Sequence, residues 1–170
     1  MNVSIIEKNI TSASADIIVN AANGWGYMGG EKARKGLLKG VAESLNRATN
    51  GEMEKYCLKN SRKFEHIASA IFGTKAGEIY TSPAFGLNCK AVIHAVTMNA
   101  PASRSSIRTV TILINSIFRY CSEKGYRTIA MPLLGTGTGG LDKKEIYDVI
   151  SKTAMIFPNL SIDIYTGGND

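Results

Sequence analysis

Cysteine is scarce in this sequence: 170 residues contain three, Cys57, Cys89 and Cys121. An odd number at wide spacing fits neither a disulfide framework nor the close pairs of a zinc site, so reduced intracellular thiols and no metal are expected. Proline is also rare, at four residues, and no repeat, low-complexity tract or Pro/Ser-rich linker interrupts the chain. Nothing marks an internal boundary, and residues 1–170 read as one domain. Long apolar runs are missing too, since no segment reaches the roughly 18 consecutive apolar residues of a membrane span. The opening residues, Met1 to Ile10, lack a basic region followed by an apolar stretch, so no secretory signal is read there. A soluble, cytoplasmic monomer is the expectation.

What is present is ordinary for a globular domain: 44% hydrophobic and 20% charged residues, in a chain long enough to bury a core without staples. Lys and Arg number 20 against 14 Asp and Glu, and the net charge of +6 favours an anionic partner. The basic residues are scattered, as in Lys32, Arg34, Lys35 and Lys39 and then Arg62 and Lys63, and are not interleaved with aromatics. A nucleic-acid-binding module is therefore kept only as a second alternative.

Six β-rich stretches recur: Val3 to Ile6, Asp16 to Asn20, Glu78 to Ser82, Ala91 to Val96, Thr128 to Leu133 and Leu160 to Tyr165. Helix-like segments with apolar residues at three- and four-residue spacing lie between them: Gly29 to Arg47, Glu52 to Ile71, Ser105 to Lys124 and Lys143 to Phe157. The runs Ile17-Ile18-Val19 and Ala91-Val92-Ile93 are apolar on both faces, as central strands covered by helices on each side must be. The alternation predicts an α/β fold, a three-layer α/β/α sandwich. In such sheets ligands settle beyond the carboxyl ends of the central strands.

Two glycine-rich segments fall at those ends. One runs from Asn20 through Asn23-Gly24-Trp25-Gly26-Tyr27-Met28-Gly29-Gly30, and the other is Gly135-Thr136-Gly137-Thr138-Gly139-Gly140 followed by Asp142, a candidate helix N-cap. Glycine lets backbone N–H groups turn toward a ligand with no Cβ in the way, and a following helix adds its positive end. A single such turn is more often structural than not; two of them after central strands suit a diphosphate. A P-loop is excluded because no Lys-Ser or Lys-Thr closes the second run. The spacing Gly135, Gly137, Gly140 matches a dinucleotide fingerprint, with Asp163 about twenty residues on, but too little chain follows for the rest of such a domain.

At these residues the sequence resembles the macro domain, an ADP-ribose-binding module. The blocks that carry the likeness are Asn9-Ile10-Thr11, Asp16-Ile17-Ile18-Val19-Asn20-Ala21-Ala22-Asn23, Gly29-Gly30, Ala76-Gly77-Glu78, Val92-Ile93-His94-Ala95-Val96, and Ile129-Ala130-Met131-Pro132 leading into Gly135-Thr136-Gly137. The resemblance implies a mixed, mostly parallel six-stranded sheet with ADP-ribose across its crest. It further implies that Asn9 and Ile10 meet adenine, that Asn23 holds the distal ribose, and that Gly29, Gly30 and the loop Gly135, Thr136, Gly137, Thr138 and Gly139 surround the phosphates, with Asn20, Ala22 and Met28 also among the expected ligand-binding residues. No cofactor is implied.

The sequence departs from the family pattern at four places. Asn9 stands where an acidic side chain selects adenine, and its oxygen can still accept from the adenine amino group. Ala33 stands where many family hydrolases place a water-activating aspartate; a general base contributes a factor of about 10² to 10⁴, so turnover would be slow unless a substrate phosphate or Glu31 substitutes. Gly139 replaces an aromatic over the distal ribose. The terminal helix with an adenine-stacking aromatic that the family pattern carries is not expected after Tyr165, which is itself read either as a stacking residue or as core.

Other residues have bland readings that outweigh the functional ones. His94, in an apolar strand, reads as a satisfied core histidine, His66 as solvent-exposed, and Glu31 as an acid favouring a helix start before it is a base. Trp25 and Tyr27 either stack on the ligand or shield a core edge. The leading reading is recognition of ADP-ribose, free or as a mono-ADP-ribosyl group on a macromolecule. The alternative is an enzyme in the same pocket, an ADP-ribosyl hydrolase, an O-acetyl-ADP-ribose deacetylase or an ADP-ribose-1''-phosphate phosphatase, in which Asn23 orients the ribose.

Overall fold

The structure, a computed structural model, describes residues 2–61 and 73–167. Its strands are β1 (Val3–Ile6), β2 (Ile17–Asn23), β3 (Ile79–Ser82), β4 (Ala91–Met98), β5 (Thr128–Met131) and β6 (Ser161–Tyr165). The helices among these residues are α1 (Gly30–Arg34), α2 (Val41–Ala48), α3 (Glu52–Asn60), α4 (Ile107–Glu123) and α5 (Lys143–Ala154), with a 3-10 turn at Ile10–Ser12. None of these helices is long and apolar enough to cross a membrane.

The strands form one sheet in the order β1-β6-β5-β2-β4-β3. All neighbours are parallel except β3, which pairs antiparallel with β4. This is the mixed, mostly parallel six-stranded sheet that the family resemblance implies, built from the α/β alternation read in the sequence. The period of two in the central strands splits their side chains between two cores. Ile17, Val19, Ile93 and Ala95 pack against Val110, Leu113, Ile114 and Ile117 of α4 and Ile146 and Ile150 of α5. Ile18, Val92 and Ala130 face the other way, onto Leu45 of α2 and Met53 and Cys57 of α3. Each such side chain contributes about 1.5–3 kcal/mol through removal from water.

Helix ends follow local chemistry. Ser106 caps α4 by accepting from the Thr109 N–H at 3.1 Å, and Asp142 caps α5 by accepting from Glu145 N–H at 2.9 Å. At the base of the sheet the Asp16 carboxylate accepts from the N–H groups of Arg127 (2.7 Å) and Thr128 (3.1 Å) and pairs with Lys90 at 2.8 Å. Those contacts, the Lys90 bond foremost, hold its carboxyl down at about 2.

Among the boundaries that differ from the sequence expectation, three bear on the site or on the described range. β2 continues past Asn20 to Asn23, because the β4 ladder extends to Met98 beside it. The expected helix from Gly29 to Arg47 is broken into α1 and α2, since Gly36 and Gly40 adopt φ of 72° and 155°, where L side chains rarely go. The segment expected as a helix from Glu52 to Ile71 is helical to Asn60, and its later part, with His66, lies outside the described residues.

Candidate functional site

The carboxyl ends of β2, β4, β5 and β6 open on one side of the sheet, and a cleft of about 1120 Å³ lies there. That volume is slightly above the usual range of about 300–1,000 Å³ for small-molecule sites and leaves room for an elongated, nucleotide-sized ligand. Each strand delivers a piece of the wall: Ala22 and Asn23 from β2, Thr97 and Met98 from β4, Pro132 and the loop after β5, and Tyr165 to Gly167 from β6.

The second glycine loop lines the cleft from Gly135 to Gly139. It is folded on itself: Thr136 N–H donates to Leu133 C=O at 3.3 Å, Gly140 N–H to Gly137 C=O at 3.1 Å, and Leu141 N–H to Gly135 C=O at 3.0 Å. Among the described residues the N–H groups of Gly137, Thr138 and Gly139 have no such acceptor. Gly137 stands in open space, with nothing within 4 Å of where a Cβ would sit. Gly139 is the opposite, since a Cβ there would lie 2.5 Å from the Gly135 carbonyl oxygen. The departure from an aromatic at this position thus has a steric cause in this loop.

The other backbone segment on the cleft is not the Gly29–Gly30 turn but the stretch after the α1–α2 break, with Lys39, Gly40, Val41, Ala42, Glu43 and Ser44 among the lining residues. α2 has Gly40 at its N-cap with no side-chain cap, so the first-turn amides, which no helix can satisfy internally, belong to residues that line the cleft. Lys39, Arg47 and Lys143 put positive charge on the same cleft, against the one carboxylate of Glu43 among its described lining residues. A helix start, backbone amides and cations converging on one space make a site for an anion.

Met28, Gly29 and Gly30 lie outside this lining. The N–H groups of Met28 and Gly30 donate to Glu54 Oε1 at 2.7 and 3.0 Å, and Gly29 sits beneath the side chains of Leu38 and Glu43. Ala33 is buried, packed against Gly29. Glu31 is exposed, away from the cleft, and pairs with Lys35 at 2.6 Å. Asn20 is 1% exposed inside the sheet and does not reach the cleft. Its Nδ2 donates to His94 Nδ1 at 3.1 Å, which leaves the ring proton on Nε2, 2.8 Å from Ser82 Oγ. Burial holds His94 down at about 3, a neutral ring stacked on Tyr80.

Asn23 does line the cleft, and it also shapes the first loop. Its Oδ1 accepts from the N–H groups of Trp25 (3.1 Å) and Tyr27 (3.2 Å), while Nδ2 donates to Tyr27 C=O at 2.8 Å. Tyr27 lines the cleft and Trp25 does not. Asn9, Ile10 and Tyr165 also line the cleft. The Asn9 oxygen already accepts from Thr11 N–H (3.1 Å) and Thr11 Oγ1 (3.0 Å), so it caps the 3-10 turn. Tyr165 is both partly buried against the second core and on the cleft wall.

Sequence reasoning missed the 39–44 wall, Arg47, Lys143 and Glu54. The signal for the first was Gly36 and Gly40 inside an apparent helix, which marks a break; Glu54 carries no local signal at all.

Comparison with known proteins shows the family and the fold. The macro domain family model matches residues 19–150. A protein of Aquifex aeolicus with no assigned activity is 32% identical over 144 residues, covering 85% of this chain and 75% of its own. The O-acetyl-ADP-ribose deacetylase of Salmonella typhimurium is 29% identical over 157 residues, covering 90% and 77%. Among solved structures, the macrodomain of Mycobacterium tuberculosis DarG superposes with a TM-score of 0.78 at 21% identity, covering 96% of this chain and 97% of that one. The Trypanosoma brucei macrodomain in complex with ADP-ribose gives 0.73 at 18% identity, covering 99% and 64%. With its sheet order, its cleft at the carboxyl strand ends and a family match over most of its length, the chain belongs to the macro domain family.

Proposed function

We propose that this chain binds ADP-ribose, free or as a mono-ADP-ribosyl group on a macromolecule, with the diphosphate between the start of α2 and the 135–139 loop. The observation that carries the reading is the pair of amide sets without an acceptor among the described residues, those of α2's first turn and of Gly137 to Gly139, on residues that line one cleft. Lys39, Arg47 and Lys143 add the charge a diphosphate calls for. Adenine fits the end marked by Ile10 and Tyr165, and the distal ribose the end marked by Asn23 and Tyr27. The named ligand of the Trypanosoma brucei macrodomain, ADP-ribose, supports the same assignment.

Calorimetric titration with ADP-ribose, ADP and AMP tests it. ADP-ribose is expected to bind best, and Gly137→Glu, which places a carboxylate in open space on the cleft wall, to weaken binding by about two orders of magnitude or more. Equal affinity in parent and variant would contradict the site.

A second reading, removal of an acetyl group from O-acetyl-ADP-ribose, has two supports: the activity named for the Salmonella relative, and Glu43 in the cleft, in place of Ala33 and Glu31 outside it. In that reaction Glu43 takes a proton from water, the hydroxide adds to the ester carbonyl, and the ribose oxygen leaves with a proton as acetate forms. Acetate release that disappears in Glu43→Gln, with ADP-ribose affinity kept, is the expected result; no release by stoichiometric parent protein would leave a binding module.

A further inference from the structure

The Gly29–Gly30 turn has the left-handed dihedrals of an anion cradle, with φ of 89° and 57°, yet a carboxylate of the chain itself fills it. Glu54 on α3 is 5% exposed. One oxygen accepts from Met28 and Gly30; the other accepts from Asn46 Nδ2 at 3.1 Å and faces Arg34 Nη1 at 3.7 Å. Asn46 is fully buried in α2 and also donates to the carbonyls of Met28 (3.0 Å) and Gly30 (3.3 Å). The first loop, α2 and α3 therefore meet at a single carboxylate. Asn46 lies two residues beyond Ser44, so the same contacts that hold it set the direction in which the start of α2 points. A carboxylate is an expensive group to bury, and an apolar side chain would close the space at lower cost while leaving the two loop amides without a partner.

We infer that Glu54 is a positioning residue of the cleft: it occupies the Gly29–Gly30 cradle itself and, through Asn46, aims the start of α2 at the ligand's diphosphate in that turn's place. The inference rests on the reading of the cleft as an ADP-ribose site.

The test is calorimetric titration of ADP-ribose into the parent protein, Glu54→Ala, Glu54→Gln and Met53→Ala, each at a temperature where circular dichroism shows it folded. Met53 is the fully buried neighbour of Glu54 on α3, and its truncation is a control for destabilisation alone. Met53→Ala is expected to lower the unfolding temperature and leave Kd within about twofold of the parent. Glu54→Ala is expected to weaken binding about tenfold or more. Glu54→Gln keeps an acceptor for the loop amides but sets its amide nitrogen against that of Asn46, and should fall between. Parent-like Kd in the Glu54 variants overturns the inference, as does equal weakening by Met53→Ala. If Glu54→Ala does not fold, Glu54→Gln decides, with weakening of about threefold expected and a parent-like Kd overturning it. A parent that fails to bind ADP-ribose contradicts the proposed function, and the inference with it, an outcome distinct from tight binding by parent and variants alike.

Discussion

Glycines in one loop carry opposite duties here. Gly137 has room for a side chain and a backbone any residue accepts, whereas Gly139 has its own loop 2.5 Å from any Cβ. Gly137→Ala is therefore expected to leave the unfolding temperature unchanged or raised, by up to about 1 kcal/mol of stability, while weakening ADP-ribose binding. Gly139→Ala should cost about 1–3 kcal/mol of stability, read by urea denaturation. Equal stability of the two variants would contradict this division. The residues also show what a sequence can and cannot reveal. His94 was legible as core because its neighbours on both sides are apolar, and Asp142 as a cap because a helical pattern starts directly after it. Gly29 and Gly30 were not legible, since positive φ serves a phosphate turn and a tight turn alike, and the deciding partner, Glu54, is 24 residues away.

Among the elements, α2 matters most, and its start, like those of α1 and α3, has no side-chain cap. Its N-cap is a glycine with no capping side chain, while Ser106 and Asp142 close α4 and α5 with their own oxygens. Removing a finished cap should cost stability alone: Asp142→Ala is expected to lower stability by about 1 kcal/mol, by thermal or urea unfolding, with ADP-ribose affinity held within twofold. The strands were readable from their doubly apolar runs, and the break between α1 and α2 was not, because its apolar spacing continues through Gly36-Leu37-Leu38-Lys39-Gly40 and hides two turn-forming glycines. The same hidden break concealed one wall of the cleft.

For the whole molecule, two groups tie stability to pH in the same direction. His94 is held down at about 3 by burial, so below its ordinary 6.5 the unfolded chain takes up a proton that the folded one refuses. Asp16 is held down at about 2 from 3.8, so its contribution is present above about pH 4 and is lost as pH falls toward 2. Unfolding free energy should therefore fall on acidification from pH 6.5, with a slope of up to about 1.4 kcal/mol per pH unit per proton, and more steeply below pH 4. His94→Gln is expected to flatten the upper window and Asp16→Asn the lower one; a profile unchanged by either variant would contradict the assignment.

At the same scale, the account stands on backbone amides from α2's start and the 135–139 loop meeting one diphosphate. The most direct measurement is the two-dimensional amide spectrum of the isotope-labelled protein on addition of ADP-ribose. The largest changes are predicted at Ala42, Glu43, Gly137 and Thr138, with Met28 and Gly30 nearly still because Glu54 already holds them. The largest changes at Met28 to Gly30, with Gly137 and Thr138 unmoved, would contradict it.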